Sequence, residues 1–441
     1  MKLLKIIFCG DYTEVTFKEL IEYIPLMSSF CLEKQTKQSY LKLFELCFEA
    51  NNFDITILIT DMINYFTWKD IDIMPDSVAV QFIKKLITDV DDDLTYTIFV
   101  RACKIGHMLV IQYLVDLGVN VHFGGGYVFK RASRNGRLDV IKYLVDKKVD
   151  IHMNNEYIVR SASENGHLHV VEYLADNQAN IHAENEYALR WASLNGHIDV
   201  VRYLINKGAN IRADSDYAFR AASWKGHVDV VRFLVEREAD VCVFKDLAIH
   251  TASENGHLAV VKYLFDKGAD IHANYEWNLI SASEKGHLGV VRFLIDNGAD
   301  PHALNDSAFR LASENGHIEV VKLLIDNGAR IHADKDDAFR LASEKGHLDI
   351  VRFLVDNGAN IHALDDRAFL SASRNGHLDI VRFLVDNGAN IHALNDRAYK
   401  SACENGHLEV VRFLVDNGVN IHAHTDNADI LAPKYNHLNV V

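Results

Sequence analysis

Residues 336–365 read DDAFRLASEKGHLDIVRFLVDNGANIHALD. The first third is rich in Ala and Leu and ends at Gly346, which is typical of a short helix closed by a glycine. Between His347 and Gly358 the apolar residues follow the i, i+1, i+4, i+5 spacing of a half-buried helix. The stretch therefore predicts two helices, here called helix A and helix B, followed by a connector.

This unit returns along most of the chain with a fixed period. The glycine–histidine pair between the two helices stands at Gly106-His107 and recurs at thirty residues or a multiple of thirty, as far as Gly406-His407. Such a period is typical of a solenoid, in which each unit buries its apolar face only against its neighbours. We therefore predict an all-α stack of helix pairs.

Two positions of the unit keep one residue type. The alanine of helix A, whose methyl group allows helices of adjacent units to approach closely, recurs as Ala102, Ala132, Ala162, Ala192, Ala222, Ala252, Ala282, Ala312, Ala342, Ala372, Ala402 and Ala432. An acidic residue stands before helix A, as at Asp336. We predict that its side chain caps the N-terminus of that helix.

These residues resemble the ankyrin repeat. That repeat consists of a short helix, a Gly-His turn, a second helix with a Val-Val and Leu-Leu core, and then Gly-Ala and a turn. The corresponding residues are Gly316-His317, Val320-Val321, Leu323-Leu324 and Gly328-Ala329. The resemblance covers about residues 97–441. It implies an ankyrin-repeat solenoid that binds a protein partner along helix A and the connectors.

The unit departs from the family pattern in length. The usual unit has about 33 residues and opens helix A with Thr-Pro-Leu-His, which this chain lacks. The missing residues fall in the connector, so we expect shortened β-turn connectors in place of projecting hairpins. Thirty-residue units with this residue pattern resemble the ankyrin proteins of giant amoebal DNA viruses (mimivirus-like).

Three segments differ in pattern. Residues 96–441 form the array, with about eleven thirty-residue units and a partial last one. Residues 36–95 include one degenerate copy of the unit, in which several of the repeated residues are replaced. This segment predicts a degenerate, ankyrin-like helical cap. Residues 1–35 indicate a two-stranded hairpin followed by a helix. Two interpretations stay open for that segment, a hairpin that seals the stack or the opening of a BTB/POZ or Skp1-like domain.

Composition excludes several classes of partner. The net charge of −15 disfavours nucleic acid, which requires a basic stripe, and an anionic membrane surface. The six cysteines form no CxxC pair, so we expect reduced thiols and an intracellular protein, in the host cytoplasm if the chain is viral. We expect it to be monomeric.

No motif for catalysis or cofactor binding stands out. The 23 histidines fall mainly in two columns, the turn histidines such as His287 and the connector histidines such as His302. Neighbours in one column lie about 8–10 Å apart, whereas two ligands of one zinc ion lie about 4 Å apart. We therefore assign these histidines to turn hydrogen bonds and predict no metal, no cofactor and no enzymatic activity.

Recognition positions of a repeat protein vary while scaffold positions recur. Helix A and the connectors hold the most variable columns, and three of the four tryptophans fall in them, between residues 187 and 277. Because exposed Trp and Tyr dominate interface energies, we predict an aromatic partner-binding patch formed by Tyr187, Trp191, Tyr217, Trp224, Phe244 and Trp277. The predicted function is a non-enzymatic protein–protein interaction scaffold. The resemblance to viral proteins implies that it acts on host proteins. The alternative is a ubiquitin-ligase substrate receptor that recruits the ligase through residues 1–35.

Overall fold

The computed structural model describes residues 72, 74–87, 92–123, 126–237 and 241–419. These residues form 23 helices and no strand, which confirms the predicted all-α solenoid class. The predicted segment 1–35 and much of the predicted cap at 36–95 lie outside the described residues. No helix in the described ranges is both long enough and apolar enough to cross a membrane.

The chain divides into two compact units, Met1–Asn210 and Ile211–Val441. The helices of the first unit are α1 (Asp76–Leu86), α2 (Asp92–Ile105), α3 (Met108–Asp116), α4 (Tyr127–Arg134), α5 (Leu138–Asp146), α6 (Met153–Glu164), α7 (Leu168–Asp176), α8 (Ala183–Leu194) and α9 (Ile198–Asn206). The helices of the second unit are α10 (Ala213–Lys225), α11 (Val228–Glu236), α12 (Val241–Glu254), α13 (Leu258–Asp266), α14 (Ala273–Glu284), α15 (Leu288–Asp296), α16 (Ala303–Glu314), α17 (Ile318–Asp326), α18 (Asp337–Lys345), α19 (Leu348–Asp356), α20 (Ala363–Arg374), α21 (Leu378–Asp386), α22 (Ala393–Glu404) and α23 (Leu408–Asp416).

From α2 onward the even-numbered helices are helix A and the odd-numbered ones helix B. Within each unit, helix A packs on its own helix B and on helix A of the next repeat. The alanine column lies in this seam, and Ala282, Ala312 and Ala342 are fully buried. Helix B contributes its Val-Val and Leu positions to the core, for example Val290 and Leu294. The core is therefore a row of inter-helix seams, as the period predicts.

The Gly-His turn joins neighbouring repeats as well as the two helices. Gly346 closes α18 with φ +89°, a conformation that glycine adopts without strain. The His377 ring of the next repeat lies so close that a Cβ on Gly346 would stand 2.7 Å from His377 Cε1. His377 Nε2–H donates to the Glu344 carbonyl at 2.9 Å. Both the backbone conformation and the neighbouring ring therefore require glycine at this position.

The connector contains a left-handed turn. Leu304, Asn305 and Asp306 have φ of 49°, 60° and 57°, respectively. The same run of three positive φ values recurs at 154–156, 184–186, 214–216, 274–276, 334–336, 364–366 and 394–396. A left-handed residue other than glycine costs roughly 1–2 kcal/mol, so each connector needs compensating contacts.

The predicted N-cap role of the acidic column is wrong. The residue that precedes α18, Asp336, has φ +61° and makes no side-chain capping hydrogen bond, whereas an N-cap residue takes β-region dihedrals. Asp336 is the last residue of the left-handed turn.

The acidic side chain instead joins one connector to the next. Asp306 is fully buried, and its Oδ1 accepts hydrogen bonds from His302 Nδ1 at 2.9 Å and from the Arg330 backbone N–H at 3.0 Å. Burial alone would raise the pKa of Asp306, but these bonds and the Arg330 charge lower it below its ordinary value. Asp336 and Asp366 make the same pair of bonds. This cross-repeat contact compensates for the strained turn.

Candidate functional site

Five of the six residues predicted to bind a partner have side chains that the structure describes. Trp224 and Trp277 are exposed, at 45% and 51%. The half-buried side chains are those of Tyr187, Trp191 and Tyr217. Phe244 lies in α12, but its side chain is outside the described part of the chain. The predicted rings belong to different units, so we take each unit by itself.

In the first unit, two of the predicted residues form one aromatic surface. The rings of Tyr187 and Trp191, one turn apart on α8, stack with centroids 5.3 Å apart and planes 25° apart. The Arg160 guanidinium of the preceding repeat lies 4.8 Å from the centroid of Tyr187. Burial, with a smaller contribution from the Glu164 charge, raises the pKa of the Tyr187 hydroxyl, which therefore remains a neutral donor.

In the second unit, Trp277 begins the right-handed part of α14, directly after a left-handed turn. Its indole stacks on the imidazole of His250 from the preceding helix A, with centroids 5.3 Å apart and planes 15° apart. This stacking holds the Trp277 ring in one orientation while half of its surface faces solvent. A preorganised ring loses little side-chain entropy when a partner covers it.

Trp224 lies in the last turn of α10, where its backbone makes an inter-repeat bond and its side chain is exposed. Its carbonyl accepts a hydrogen bond from His257 Nε2 at 2.9 Å, the same inter-repeat bond that Glu254 makes with His287. Its indole is covered on one face by the Lys225 ammonium, 4.1 Å from the centroid. The fold therefore uses the Trp224 backbone, while the residue remains 45% exposed.

Sequence reasoning missed a second set of exposed apolar side chains, those on the connectors. Tyr275 is 79% exposed, and three leucines are about half exposed, namely Leu304, Leu364 and Leu394. All four have positive φ, which Asn and Asp tolerate better. The signal was present in the sequence, because the leucine position carries Asn154, Asp214, Asn274 or Asp334 in other repeats, and the position of Tyr275 carries Asn155, Asn185 or Asn305.

Both histidine columns make the hydrogen bonds predicted for them. Turn histidines donate from Nε2 to a carbonyl 33 residues earlier in the chain, as from His287 to Glu254. Connector histidines bond through Nδ1 to the acidic residue four positions later, as His362 does to Asp366 at 3.0 Å. No group of three His, Cys, Asp or Glu side chains within the described ranges is arranged to hold a metal ion.

The repeats match a known family. The family model described as "Ankyrin repeats (3 copies)" matches residues 77–155, 131–215, 158–245, 213–275, 279–365 and 365–425. None of the curated proteins compared with the chain matches it. Ankyrin repeats serve as scaffolds for protein–protein interaction. With most of its length covered by these matches, and with the helix pairs and Gly-His turns described above, the chain belongs to the ankyrin-repeat family.

Proposed function

We propose that the chain is a non-enzymatic scaffold that binds a protein partner through aromatic side chains of helix A. The surfaces concerned are formed by Tyr187 and Trp191 in the first unit and by Tyr217, Trp224 and Trp277 in the second. Phe244 is retained in the proposal on its sequence alone. The family to which the chain belongs supports the proposal, since ankyrin repeats are protein-binding modules.

One observation carries this proposal, the exposure of Trp277 on a preorganised stack. The equivalent position is Ser307, Asp337 or Arg367 in later repeats, so the scaffold does not require an aromatic residue there. A large ring exposed to water contributes little to folding but much to an interface. Its stacking on His250 fixes the ring that a partner would cover.

The test is quantitative capture of partner proteins by the intact chain and by a Trp191→Ala, Trp224→Ala, Trp277→Ala triple variant. We expect the variant to lose the captured protein while it keeps its helicity. The control variant removes exposed apolar side chains elsewhere, through Leu304→Ala, Leu364→Ala and Leu394→Ala. Equal loss in both variants, or unchanged capture in the triple variant, would exclude the proposed aromatic surfaces.

The biological setting is also a proposal. The thirty-residue period, shorter than the usual ankyrin unit, supports an origin in a giant amoebal DNA virus with host proteins as targets. Capture from uninfected amoebal cytoplasm tests this directly. Recovery of a host protein that requires Trp224 and Trp277 is the expected result, and recovery of no host protein would contradict it.

The ubiquitin-ligase alternative depends on residues 1–35, which lie outside the described residues. No observation on the described part of the chain favours it over the scaffold. A pull-down with residues 1–95 distinguishes the two functions, because recovery of a cullin or of Skp1 would support a substrate receptor.

A further inference from the structure

One stretch of the first unit has a charge opposite to that of the whole chain. Residues 127–137 read YVFKRASRNGR, with four basic residues and no acidic one, in a chain of net charge −15. This stretch includes α4, a helix A. A local cluster of one sign attracts groups of the opposite sign and orients them on approach. The stretch is therefore a candidate surface for an anionic group.

The cations of this surface are held against aromatic rings. Lys130 Nζ lies 4.3 Å from the ring centroid of Tyr157, and the Arg160 guanidinium lies between Tyr157 and Tyr187, at 5.6 and 4.8 Å from their centroids. Neither Lys130 nor Arg160 forms an ion pair with any carboxylate that the structure describes. The rings position both charges, and the Asn154 carbonyl also accepts a hydrogen bond from Arg160 Nη2 at 3.0 Å.

A cleft opens beside these cations. It has a volume of about 270 Å³ and is lined by Tyr127, Lys130, Met153, Asn154 and Tyr157, with Gly126 and Ile158. Its size lies just below the roughly 300–1,000 Å³ of pockets for small organic ligands, and suits one side chain of a bound peptide. Lys130 is half-buried and is the basic residue in its lining.

We propose that this cleft binds a carboxylate side chain from an acidic segment of the protein partner. The carboxylate enters between Tyr127 and Tyr157 and pairs with Lys130, while Arg160 receives a second acidic residue. The inference rests on the proposed scaffold function and adds to it the chemistry of the partner.

An acidic peptide fits this surface better than a nucleic acid does. A nucleic acid requires a continuous basic groove along its backbone. Beyond Arg160 the surface carries mixed charge, since Glu164 and Arg190 both lie near Tyr187 and Glu184 is exposed on the next connector. The basic area is therefore short. It is long enough to pair with a few acidic side chains of a peptide but not with an extended nucleic-acid backbone.

The test uses the full chain and a short fluorescein-labelled peptide of alternating glutamate and glycine, titrated by fluorescence anisotropy. The Lys130→Glu, Arg160→Glu variant should bind the peptide roughly tenfold or more weakly, because like charges placed opposite each other oppose association. The matched control is Lys142→Glu, Arg232→Glu. These cations also lie over tyrosines of the next repeat, at 5.8 and 4.8 Å, but on helix B, and their reversal should leave binding nearly unchanged.

A second measurement does not depend on charge reversal. Met153 lines the cleft, and the chain has only six methionines, so ¹³C-methyl labelling with a Met153→Leu assignment variant isolates its signal. We expect the peptide to shift the Met153 methyl resonance, with the other methyl resonances unchanged.

Three results would overturn the inference: equal weakening by both charge reversals, no shift of the Met153 methyl resonance at saturating peptide, or tighter binding of a single-stranded oligonucleotide than of the peptide. Retained capture of a partner through Trp224 and Trp277 in the Lys130→Glu, Arg160→Glu variant would then leave the proposed function standing. Unchanged capture by the Trp191→Ala, Trp224→Ala, Trp277→Ala variant would overturn that function independently.

Discussion

At the residue scale, the fold depends on positions where one residue satisfies two demands. Gly346 supplies a positive φ and also leaves room for the His377 ring. Asp366 ends a left-handed turn and also accepts hydrogen bonds from His362 and from the Asn390 backbone. Sequence rules for turns are local, so they identify the glycine but not the ring against it.

The two demands on the turn glycine can be separated with a pair of variants. Gly346→Ala and Gly358→Ala both place a Cβ at a similar positive φ, +89° and +95°, but nothing lies within 4 Å of the latter Cβ. We expect Gly358→Ala to cost about 1–2 kcal/mol from the backbone alone and Gly346→Ala about 1–3 kcal/mol more, from displacement of the His377 ring. Chemical denaturation measures both, and equal costs would contradict the contact.

The acidic column is tested by two adjacent aspartates with nearly equal φ, Asp365 at 58° and Asp366 at 57°. Only Asp366 is buried. Asp366→Ala leaves the Asn390 N–H and His362 without their acceptor, so we expect it to cost about 1–3 kcal/mol more than Asp365→Ala. If instead the two variants have the same free energy of unfolding, the carboxylate does not join the connectors.

One turn histidine, His257, and one connector histidine, His152, should respond to pH with opposite signs. Burial lowers the pKa of His257, although its bond to the Trp224 carbonyl opposes this. The hydrogen bond to Glu156 raises the pKa of His152. Stability from His257 is therefore complete above the unfolded pKa of about 6.5 and is lost as pH falls toward the folded value. Stability from His152 is complete below the unfolded pKa and is lost as pH rises through the folded value.

Denaturation of the chain and of two single variants over a range of about pH 5.5 to 7.5 measures these contributions. Relative to the chain, His257→Gln should lose less stability as pH falls, and His152→Gln should lose more. Parallel pH dependence in all three proteins would contradict both pKa shifts.

At the element scale, the helices could be predicted from the sequence and the connectors could not. The Gly-His turn and the period of apolar residues place helices A and B to within a few residues, because each helix satisfies its own backbone. The left-handed connector depends on a hydrogen bond 24 residues away, as from the Arg330 backbone to Asp306, and this bond overrides the local preference of Asp for an N-cap. The partner-binding residues were chosen by variation, which cannot indicate which cation lies over which ring.

The helix A seam should not tolerate added volume. Ala282 is fully buried on α14, which packs between α12 and α16. We expect Ala282→Leu to cost on the order of 1–3 kcal/mol through overpacking. The control Ala259→Leu adds the same volume at an exposed position of α13 and should change the denaturation midpoint little. An unchanged midpoint for Ala282→Leu would contradict the close packing of helix A against its neighbours.

At the scale of the whole molecule, the main helix–helix contacts within each unit join neighbouring repeats, and the bonds that join them recur with the period of the chain. Stability in such an array is approximately a sum over repeats and the interfaces between neighbours. The aromatic rings and the basic stretch at 127–137 are local departures from that uniform scaffold. A scaffold of this kind can change its binding residues repeat by repeat while its fold is preserved.

The most direct test is to excise one period. Deletion of residues 337–366 joins Asp336 to Arg367 and restores the acidic residue before helix A, while deletion of residues 337–351 removes half a period and places a helix B residue there. We predict that the first protein keeps the helicity per residue of the full chain and unfolds cooperatively at a slightly lower denaturant concentration, whereas the second loses helicity. Equal loss of helicity in the two proteins, measured by circular dichroism, would contradict a fold held together by neighbouring repeats.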